Sequence, residues 1–226
     1  MSKRIVDLSH IIEPGMVTDA RLPVPEVTDV WTRESSSANY APGVSFQIAS
    51  IKFPQNTGTY MDTPFHRHDG LPGTWDYPIE RTTDLPGVVI DARSVLDSGK
   101  PALDVELLEG IELEGAATLF WTGWDEKWGS KEYASGGHPF LTEACSQALV
   151  DRGCVLFGVD ALNADDTSDL TRPAHTILLR EDVAIVENLT NLGALPSSGF
   201  RFHAAPVKAM GLGSFPVRAY AIVPSD

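Results

Sequence analysis

Several side chains capable of chemistry lie close together in one short segment of the chain. The segment holds a carboxamide, a phenol, a carboxylate and two imidazoles, at Asn56, Tyr60, Asp62, His66 and His68. Asp and His side chains together suit Zn²⁺, Mn²⁺ or Fe²⁺, and a His beside an activated water can act as general base and then as general acid. Pro64 disfavours a regular helix here, so Asp62 and His66 are predicted to converge on one cavity. An Asp that caps a turn and a surface His are the structural alternative.

A second pair of candidate groups, His175 and Glu187, lies more than a hundred residues downstream. Glu187 follows the apolar run 183–186, which predicts a short buried strand, and His175 is predicted to lie in a proline-containing loop. A carboxylate at the end of a buried strand needs a cation or several hydrogen-bond donors. A metal ion would meet this need, and so would an ion pair with Arg172 or Arg180.

Composition excludes several classes of partner. The 226 residues include 31 acidic and 17 basic side chains, a formal charge of −14, so there is no basic excess to bind nucleic acid or an anionic membrane surface. The chain has no run of about 20 apolar residues that could span a membrane, and its first residues lack the apolar region of a signal peptide. With only Cys145 and Cys154, both predicted to be reduced and buried, we expect a cytoplasmic protein.

Apolar runs predict the elements that would position the candidate groups. We predict strands at 5–8, 44–53, 87–91, 116–123, 154–160 and 183–187, two more within 200–223, and a helix over 142–152. The strand–helix–strand order between 116 and 160 predicts a right-handed parallel crossover. Strands outnumber helices, so the fold class is a mixed, strand-rich α/β fold, expected to form one domain over residues 1–226.

The region before the first reactive segment is less regular. Residues 16–43 are rich in Pro, Ser, Asp and Thr and are predicted to form an irregular excursion, holding Trp31 and Tyr40, that serves as an active-site flap or an oligomer contact. The alternation in Val44–Ile48 predicts a strand with one buried face. The apolar pattern then slips by one residue at Ala49–Ser50, which predicts a β-bulge or two short strands.

Together these motifs resemble the cyclase family of metal-dependent hydrolases, which includes bacterial kynurenine formamidase and isatin hydrolase. The family signature reads His-x-Gly-Thr-His-x-Asp-x-Pro-x-His, followed much later by a His and, twelve residues on, by a Glu before Asn-Leu. Residues 56–66 read Asn-Thr-Gly-Thr-Tyr-Met-Asp-Thr-Pro-Phe-His, and His175 and Glu187 complete the pattern. Shorter matches at 7–10, 121–124, 158–160 and 206–218 extend the resemblance over nearly the whole chain.

The resemblance implies a role for four of the candidate residues. Asp62, His175 and Glu187 would bind one divalent metal ion, Zn²⁺ or Mn²⁺, and His66 would be the general acid and base. It also implies the family's swivelling β/β/α fold and a homodimer or larger homo-oligomer, such as a tetramer.

The chain departs from the family signature at two positions. Asn56 and Tyr60 replace the two His residues that, with the motif Asp, bind a second metal in the family. Asn offers only a neutral carbonyl oxygen, and Tyr binds a divalent metal well only as a phenolate, whose usual pKa is about 10. We therefore expect the second metal site to be weak or empty, and expect Asn56 and Tyr60 to orient substrate or stabilise an oxyanion instead.

The expected function is hydrolysis of an amide, lactam, lactone or ester carbonyl in a small molecule. A metal-bound water would attack, His66 would transfer the proton, and Tyr60 would assist; the expected substrate contacts are Asn56, Tyr60, Phe65 and Trp124. Two alternatives stay open. One is a metal-free cyclase, dehydratase or lyase that uses His66 and Tyr60 as its acid–base pair, and the other is a small-molecule-binding protein of the same fold without catalytic activity.

Overall fold

A nine-stranded mixed sheet organises the computed structural model, which describes residues 2–99 and 101–224. The strands are β1 (Lys3–Asp7), β2 (Glu26–Trp31), β3 (Ile48–Lys52), β4 (Tyr60–Asp62), β5 (Leu85–Asp91), β6 (Ala102–Leu103), β7 (Ala117–Trp121), β8 (Phe140–Leu141), β9 (Leu156–Val159), β10 (Ala184–Glu187), β11 (Phe200–His203), β12 (Ser214–Pro216) and β13 (Tyr220–Pro224). The α-helices are α1 (Arg33–Ser37), α2 (Glu143–Asp151) and α3 (Pro173–Arg180), and short 3₁₀ turns include Pro64–His66. The large sheet has the order β1-β13-β11-β5-β7-β9-β10-β4-β12, while β2–β3 and β6–β8 form separate pairs.

The central strands β5, β7, β9 and β10 are parallel, and both of their faces are buried. Successive side chains of a strand point to opposite faces, so Leu119 and Phe120 of β7 belong to different cores. Phe120 packs in the core that contains α2 and α3. Leu119 packs in a second core with Val6 of β1 and Phe202 of β11. Since β1 and β11 belong to the same sheet as β7, the sheet must curl over this second core.

The predicted parallel crossover is confirmed, because β7 and β9 are adjacent and parallel and α2 connects them. The predicted cap is also present: Thr142 accepts a hydrogen bond from the Cys145 amide at 3.1 Å through its hydroxyl. Gly153 follows the helix with φ +75°, a conformation that favours glycine. The strand-rich mixed α/β class predicted from the sequence is confirmed by these elements.

The region before the reactive segment is more regular than predicted, and its burial was predicted wrongly. Strand β2 and helix α1 lie within the predicted irregular excursion, and β2 pairs with β3 in an antiparallel ribbon. The strand predicted over Val44–Ile48 lies instead at Ile48–Lys52, and every residue of both ribbon strands is exposed. The register shift lies in β2, between Asp29 and Trp31. An alternating pattern identifies a two-faced element, but it does not say whether either face is covered.

Two further predictions need correction downstream. His175 lies in the first turn of α3 rather than in a loop, because Pro173 occupies the first helical position, where its missing N–H costs nothing. The C-terminal part contains three strands, β11, β12 and β13, rather than two. Neither α3 nor any other helix in residues 2–99 and 101–224 has the length and apolar character that a membrane span requires.

The Thr142 cap makes a testable contribution to stability. We expect Thr142→Ala to lower the free energy of unfolding by about 1 kcal/mol, since the Cys145 amide at the start of α2 loses its acceptor. Thr142→Ser keeps an acceptor oxygen and is the matched control. Urea unfolding measures both variants, and a Thr142→Ala protein as stable as the wild type would contradict the assigned cap.

Candidate functional site

Strand β4 places Asp62 between two neighbours in register, Ile185 of β10 and Ser214 of β12. Its side chain is completely buried. One carboxylate oxygen, Oδ1, accepts hydrogen bonds from the Ser214 hydroxyl and, at 3.3 Å, from the Asn56 amide nitrogen. The other oxygen, Oδ2, is buried and has no hydrogen-bond partner in the described part of the chain. An unpaired buried carboxylate oxygen is costly, so this atom marks a place where a cation would be stabilising.

Glu187 ends β10 and is also completely buried. The β4–β10 register puts Tyr60 directly opposite, and the Tyr60 hydroxyl donates to Glu187 Oε2. The Ala164 amide donates to Oε1 at 2.6 Å. The arginines considered as partners contact other groups: Arg172 contacts Asn163 and Asp165, and Arg180 contacts His68.

The first turn of α3 holds His175 in a fixed orientation through Asp165. The Asp165 carboxylate accepts hydrogen bonds from the amides of Ala174 and His175, at 2.6 and 3.3 Å, and therefore caps the helix from outside it. It also lies 2.6 Å from Nδ1 of the His175 ring. With Nδ1–H donated to Asp165, Nε2 faces Asp62 Oδ2 at 3.5 Å and Glu187 Oε1 at 3.6 Å. A ring nitrogen between two carboxylate oxygens must carry a proton or bind a metal ion.

The pKa values show how strongly this region favours positive charge. Burial opposes ionisation of Asp62, but the His66 and His175 imidazoles and the Ser214 hydroxyl hold its pKa below the usual value. Burial also disfavours an imidazolium at His175, yet the hydrogen bond to Asp165 and the nearby Asp62 and Glu187 carboxylates raise its pKa to about 10. Without a metal ion, the protonated His175 ring balances the carboxylates around it. A divalent ion would replace the Nε2 proton and supply more charge.

His66 lies at the end of the 3₁₀ turn Pro64–His66, and its side chain is 28% exposed. Its Nδ1 atom is 2.8 Å from the Ser214 hydroxyl oxygen and 3.6 Å from Asp62 Oδ1. The single Ser214 hydroxyl proton is donated to Asp62, so the Ser214 oxygen accepts a hydrogen bond from His66 Nδ1–H. In the neutral ring this leaves the lone pair on Nε2, where a general base needs it.

Asn188 ties the two halves of the site together. It directly follows Glu187 and has φ +57°, in the left-handed region that Asn tolerates better than most residues. Its side-chain nitrogen donates to the Gly58 carbonyl at 2.8 Å, and its own carbonyl accepts from the Thr59 hydroxyl at 2.6 Å. The segment containing Asn56 and Tyr60 is thus anchored to the end of β10.

The residues fit a divalent metal ion. Ligand atoms of Asp62, His66 and His175 all lie within 4.8 Å of one another. The predicted set of Asp62, His175 and Glu187 shares two of these residues, and Glu187 Oε1 adjoins the same His175 nitrogen. Asp165, bound to the other ring nitrogen, forms with His175 a carboxylate–histidine pair of the kind that orients metal ligands in proteins.

A cavity of about 150 Å³ opens at these groups. Its lining includes four of the predicted site residues, Asn56, Tyr60, His66 and His175, and also Arg172. The structure does not bring Phe65 or Trp124 to this cavity. Phe65 packs edge-on against Trp75 with ring centroids 4.9 Å apart. Trp124 is only 4% exposed and lies in the core.

Sequence reasoning did not identify Asp165 or Ser214. Asp165 follows a strand that was predicted correctly, so a carboxylate near a strand end was an available signal, but its contact with His175 depends on the path of the chain into α3. Ser214 is an ordinary serine until β12 pairs with β4. Two other histidines lie near the site without lining the cavity: His68 contacts the Thr176 carbonyl and His138 the Asp165 carbonyl, both at 3.0 Å.

Comparisons with known proteins agree with the architecture. A family model described as "Putative cyclase" matches residues 6–166. The kynurenine formamidase of Salinibacter ruber is 27% identical over 219 residues, covering 95% of each chain. The isatin hydrolase A structure from Ralstonia solanacearum is 25% identical with a TM-score of 0.82, covering 98% of this chain and 92% of that one.

A third similar protein has the same fold. The structure described as a potential metal-dependent hydrolase with cyclase activity covers 100% of both chains with a TM-score of 0.78, at 20% identity, and so supports the shared fold alone. The family match spans more than half of the chain. It includes the motif residue Asp62, whose carboxylate is buried in β4. The chain therefore belongs to the cyclase family, as its motifs predict.

Proposed function

We propose that this member of the cyclase family hydrolyses an amide bond of a small molecule with the help of one divalent metal ion. The observation that carries the proposal is the buried, unpartnered Oδ2 atom of Asp62, facing the Nε2 atom of His175 at 3.5 Å. Similarity to a kynurenine formamidase and an isatin hydrolase supports hydrolysis as the reaction. Similarity to proteins described as metal-dependent hydrolases is consistent with the metal.

Asp62, His175 and Glu187 are the proposed metal ligands. Zn²⁺ and Mn²⁺ both accept this mixture of carboxylate oxygen and imidazole nitrogen. When bound, such an ion acts as a Lewis acid that polarises a carbonyl group and makes water easier to deprotonate. Asp165 would keep the His175 ring in the tautomer that ligation needs, because it holds the Nδ1 proton.

His66 is the proposed general base and general acid. Its Nε2 lone pair would take a proton from the attacking water as a C–O bond forms at the amide carbon. The same nitrogen would then give the proton to the amide nitrogen as the C–N bond breaks, which yields a carboxylic acid and an amine. Ser214 keeps the ring oriented throughout, since its hydroxyl accepts from Nδ1–H at 2.8 Å.

Asn56 and Tyr60 are proposed to limit the site to one metal ion. Each donates a hydrogen bond to a carboxylate at the site, Asn56 to Asp62 and Tyr60 to Glu187. Burial raises the pKa of Tyr60 well above its usual value, so its phenol stays protonated and is a poor metal ligand. These donors compensate part of the carboxylate charge that a second cation would otherwise neutralise.

Hydrolysis tests the proposal directly. We expect purified protein supplied with Zn²⁺ or Mn²⁺ to hydrolyse formanilide-type amides and to lose turnover on chelation. We expect His66→Gln to lower kcat by at least about 100-fold while the bound metal stays the same, because proton transfer is lost. His68→Gln is the matched control, since His68 contacts the Thr176 carbonyl instead of the cavity.

The alternatives give different results in the same assays. Turnover that resists chelation and survives Asp62→Ala, but is lost in His66→Gln, would support a metal-free cyclase, dehydratase or lyase. Binding of small molecules without turnover of any of them, unaffected by His66→Ala, would support a catalytically silent binding protein.

Metal binding should depend on pH in a defined direction. The raised pKa of His175, about 10, means that its Nε2 proton must leave when a metal ion binds at neutral pH. We expect one metal ion per chain and an affinity that increases about tenfold per pH unit between pH 8 and 9, as the His175 proton is released. Below pH 7 the increase should be steeper, because burial raises the pKa of Glu187 to about 7 and this carboxyl must also lose its proton. Isothermal titration calorimetry in buffers of different ionisation enthalpy counts that proton; pH-independent affinity or two equivalents of metal would contradict the assignment.

The β2–β3 ribbon is the proposed contact with a second copy of the chain. Val30, Trp31 and Ile51 are 59%, 43% and 52% exposed, and a two-stranded ribbon with both faces in water is marginally stable. The ribbon begins and ends close in sequence to two residues that line the cavity, Leu22 and Asn56. A partner seated on the ribbon would therefore lie close to the mouth of the site.

Light scattering after size exclusion tests this contact. We expect a dimer or tetramer for the wild-type chain and a monomer for the double variant Val30→Lys and Ile51→Lys, because buried lysines would oppose association. Ile79→Lys changes a residue that is 65% exposed outside the ribbon and should leave the assembly intact. A monomeric wild-type protein would refute the proposed contact.

A further inference from the structure

Two arginines line the cavity of the candidate site, although the chain as a whole is strongly acidic. The protein has a formal charge of −14, yet Arg21 and Arg172 both line the cavity that contains His66 and His175. Long-range attraction cannot draw an anion to such a protein. A local pair of guanidinium groups can still bind one at short range, because their planar forks match a carboxylate.

Arg172 has a strained backbone conformation, and its side chain is held in place by its neighbours. It has φ +52° and ψ +60° immediately before α3, a conformation that glycine or asparagine adopts more easily. Its Nη2 atom donates to the Asn163 side-chain oxygen at 2.9 Å, and its Nε atom lies 3.5 Å from Asp165. An arginine kept at a strained position on the cavity wall points to a role for its side chain.

Arg21 approaches the cavity from the segment before β2. Its Nε and Nη2 atoms bind the Asp19 carboxylate at 3.0 and 2.6 Å. In both arginines the remaining nitrogen, Nη1, has no hydrogen-bond partner among residues 2–99 and 101–224. Arg172 is therefore held along one edge by buried groups, while Arg21, whose side chain is 68% exposed, pairs along one edge with Asp19. Both guanidinium groups keep donors available on the other edge.

We propose that Arg21 and Arg172 select substrates that carry a carboxylate beside the amide to be hydrolysed. The proposal deepens the proposed function and rests on it for the reaction, although the anion preference can be measured separately. Two oriented guanidinium groups give a carboxylate charge-assisted hydrogen bonds that a neutral group cannot make. A neutral amide of the same shape would leave the free donors facing water.

Equilibrium binding tests the anion preference without turnover. On full-length protein treated with chelator, we expect benzoate to bind at least about tenfold more tightly than its neutral isostere benzamide, since hydrogen bonds to charged groups are the stronger ones. Arg21→Met and Arg172→Met should each reduce this preference, and Arg172→Lys should keep part of it. Arg201→Met is the control, because Arg201 pairs with the exposed Asp84 and does not line the cavity.

Kinetics on a matched pair of substrates complete the test. With metal supplied, we expect kcat/KM for 2-formamidobenzoate to exceed that for formanilide by at least about tenfold. The ratio should fall towards one in Arg21→Met and Arg172→Met and stay unchanged in Arg201→Met. A general disturbance of the site would lower kcat/KM for both substrates equally and leave their ratio as it is.

The outcomes separate the two proposals. Equal binding of benzoate and benzamide by the wild-type chain, or a preference unchanged in both methionine variants, overturns the assignment of the arginines. A benzoate preference that both variants weaken, in a protein that hydrolyses neither formamide, supports the anion subsite and refutes the proposed amide hydrolysis.

Discussion

Three carboxylates buried together at one end of the sheet are the constraint on which the rest of the site depends. Asp62, Asp165 and Glu187 are each fully inaccessible to solvent, and burying such groups is strongly unfavourable unless charge or hydrogen bonds compensate. Backbone amides and side-chain hydroxyls nearby donate hydrogen bonds to all three. The Ala174 amide serves Asp165 and the Ala164 amide serves Glu187.

His175 stands at the centre of this compensation, with one nitrogen on Asp165 and the other facing Asp62 and Glu187. Its position is a direct product of helix α3, whose first turn is capped by the same Asp165 carboxylate that holds the ring. Helix geometry, ring orientation and charge balance are therefore not independent here. A change at Asp165 alters all three at once.

Much of this arrangement could be predicted from sequence, and the exceptions have a physical explanation. Asp62 and Glu187 were expected to share a site because both match the signature of the family that the sequence resembles, and the β4–β10 pairing supplies the proximity. Ser214 could not be found in this way, since its contact with Asp62 spans 152 residues of sequence and arises only from strand pairing. Periodicity reports the conformation of a segment, whereas the β2–β3 ribbon shows that its partners are set by the whole fold.

Because Ser214 lies in β12, the position of that strand affects the dynamics of the site. Among residues 2–99 and 101–224, β12 pairs only with β4, and it is the outermost strand of the nine-stranded sheet. Edge strands open more readily than central ones, because fewer hydrogen bonds and apolar contacts hold them. Each local opening of β12 would remove the acceptor that keeps the His66 proton on Nδ1, while the central strand β10 keeps Glu187 in place. The proposed general base His66 and the proposed metal ligand Glu187 thus depend on parts of the sheet with different local stability, so the orientation of His66 depends on how long the edge strand stays paired.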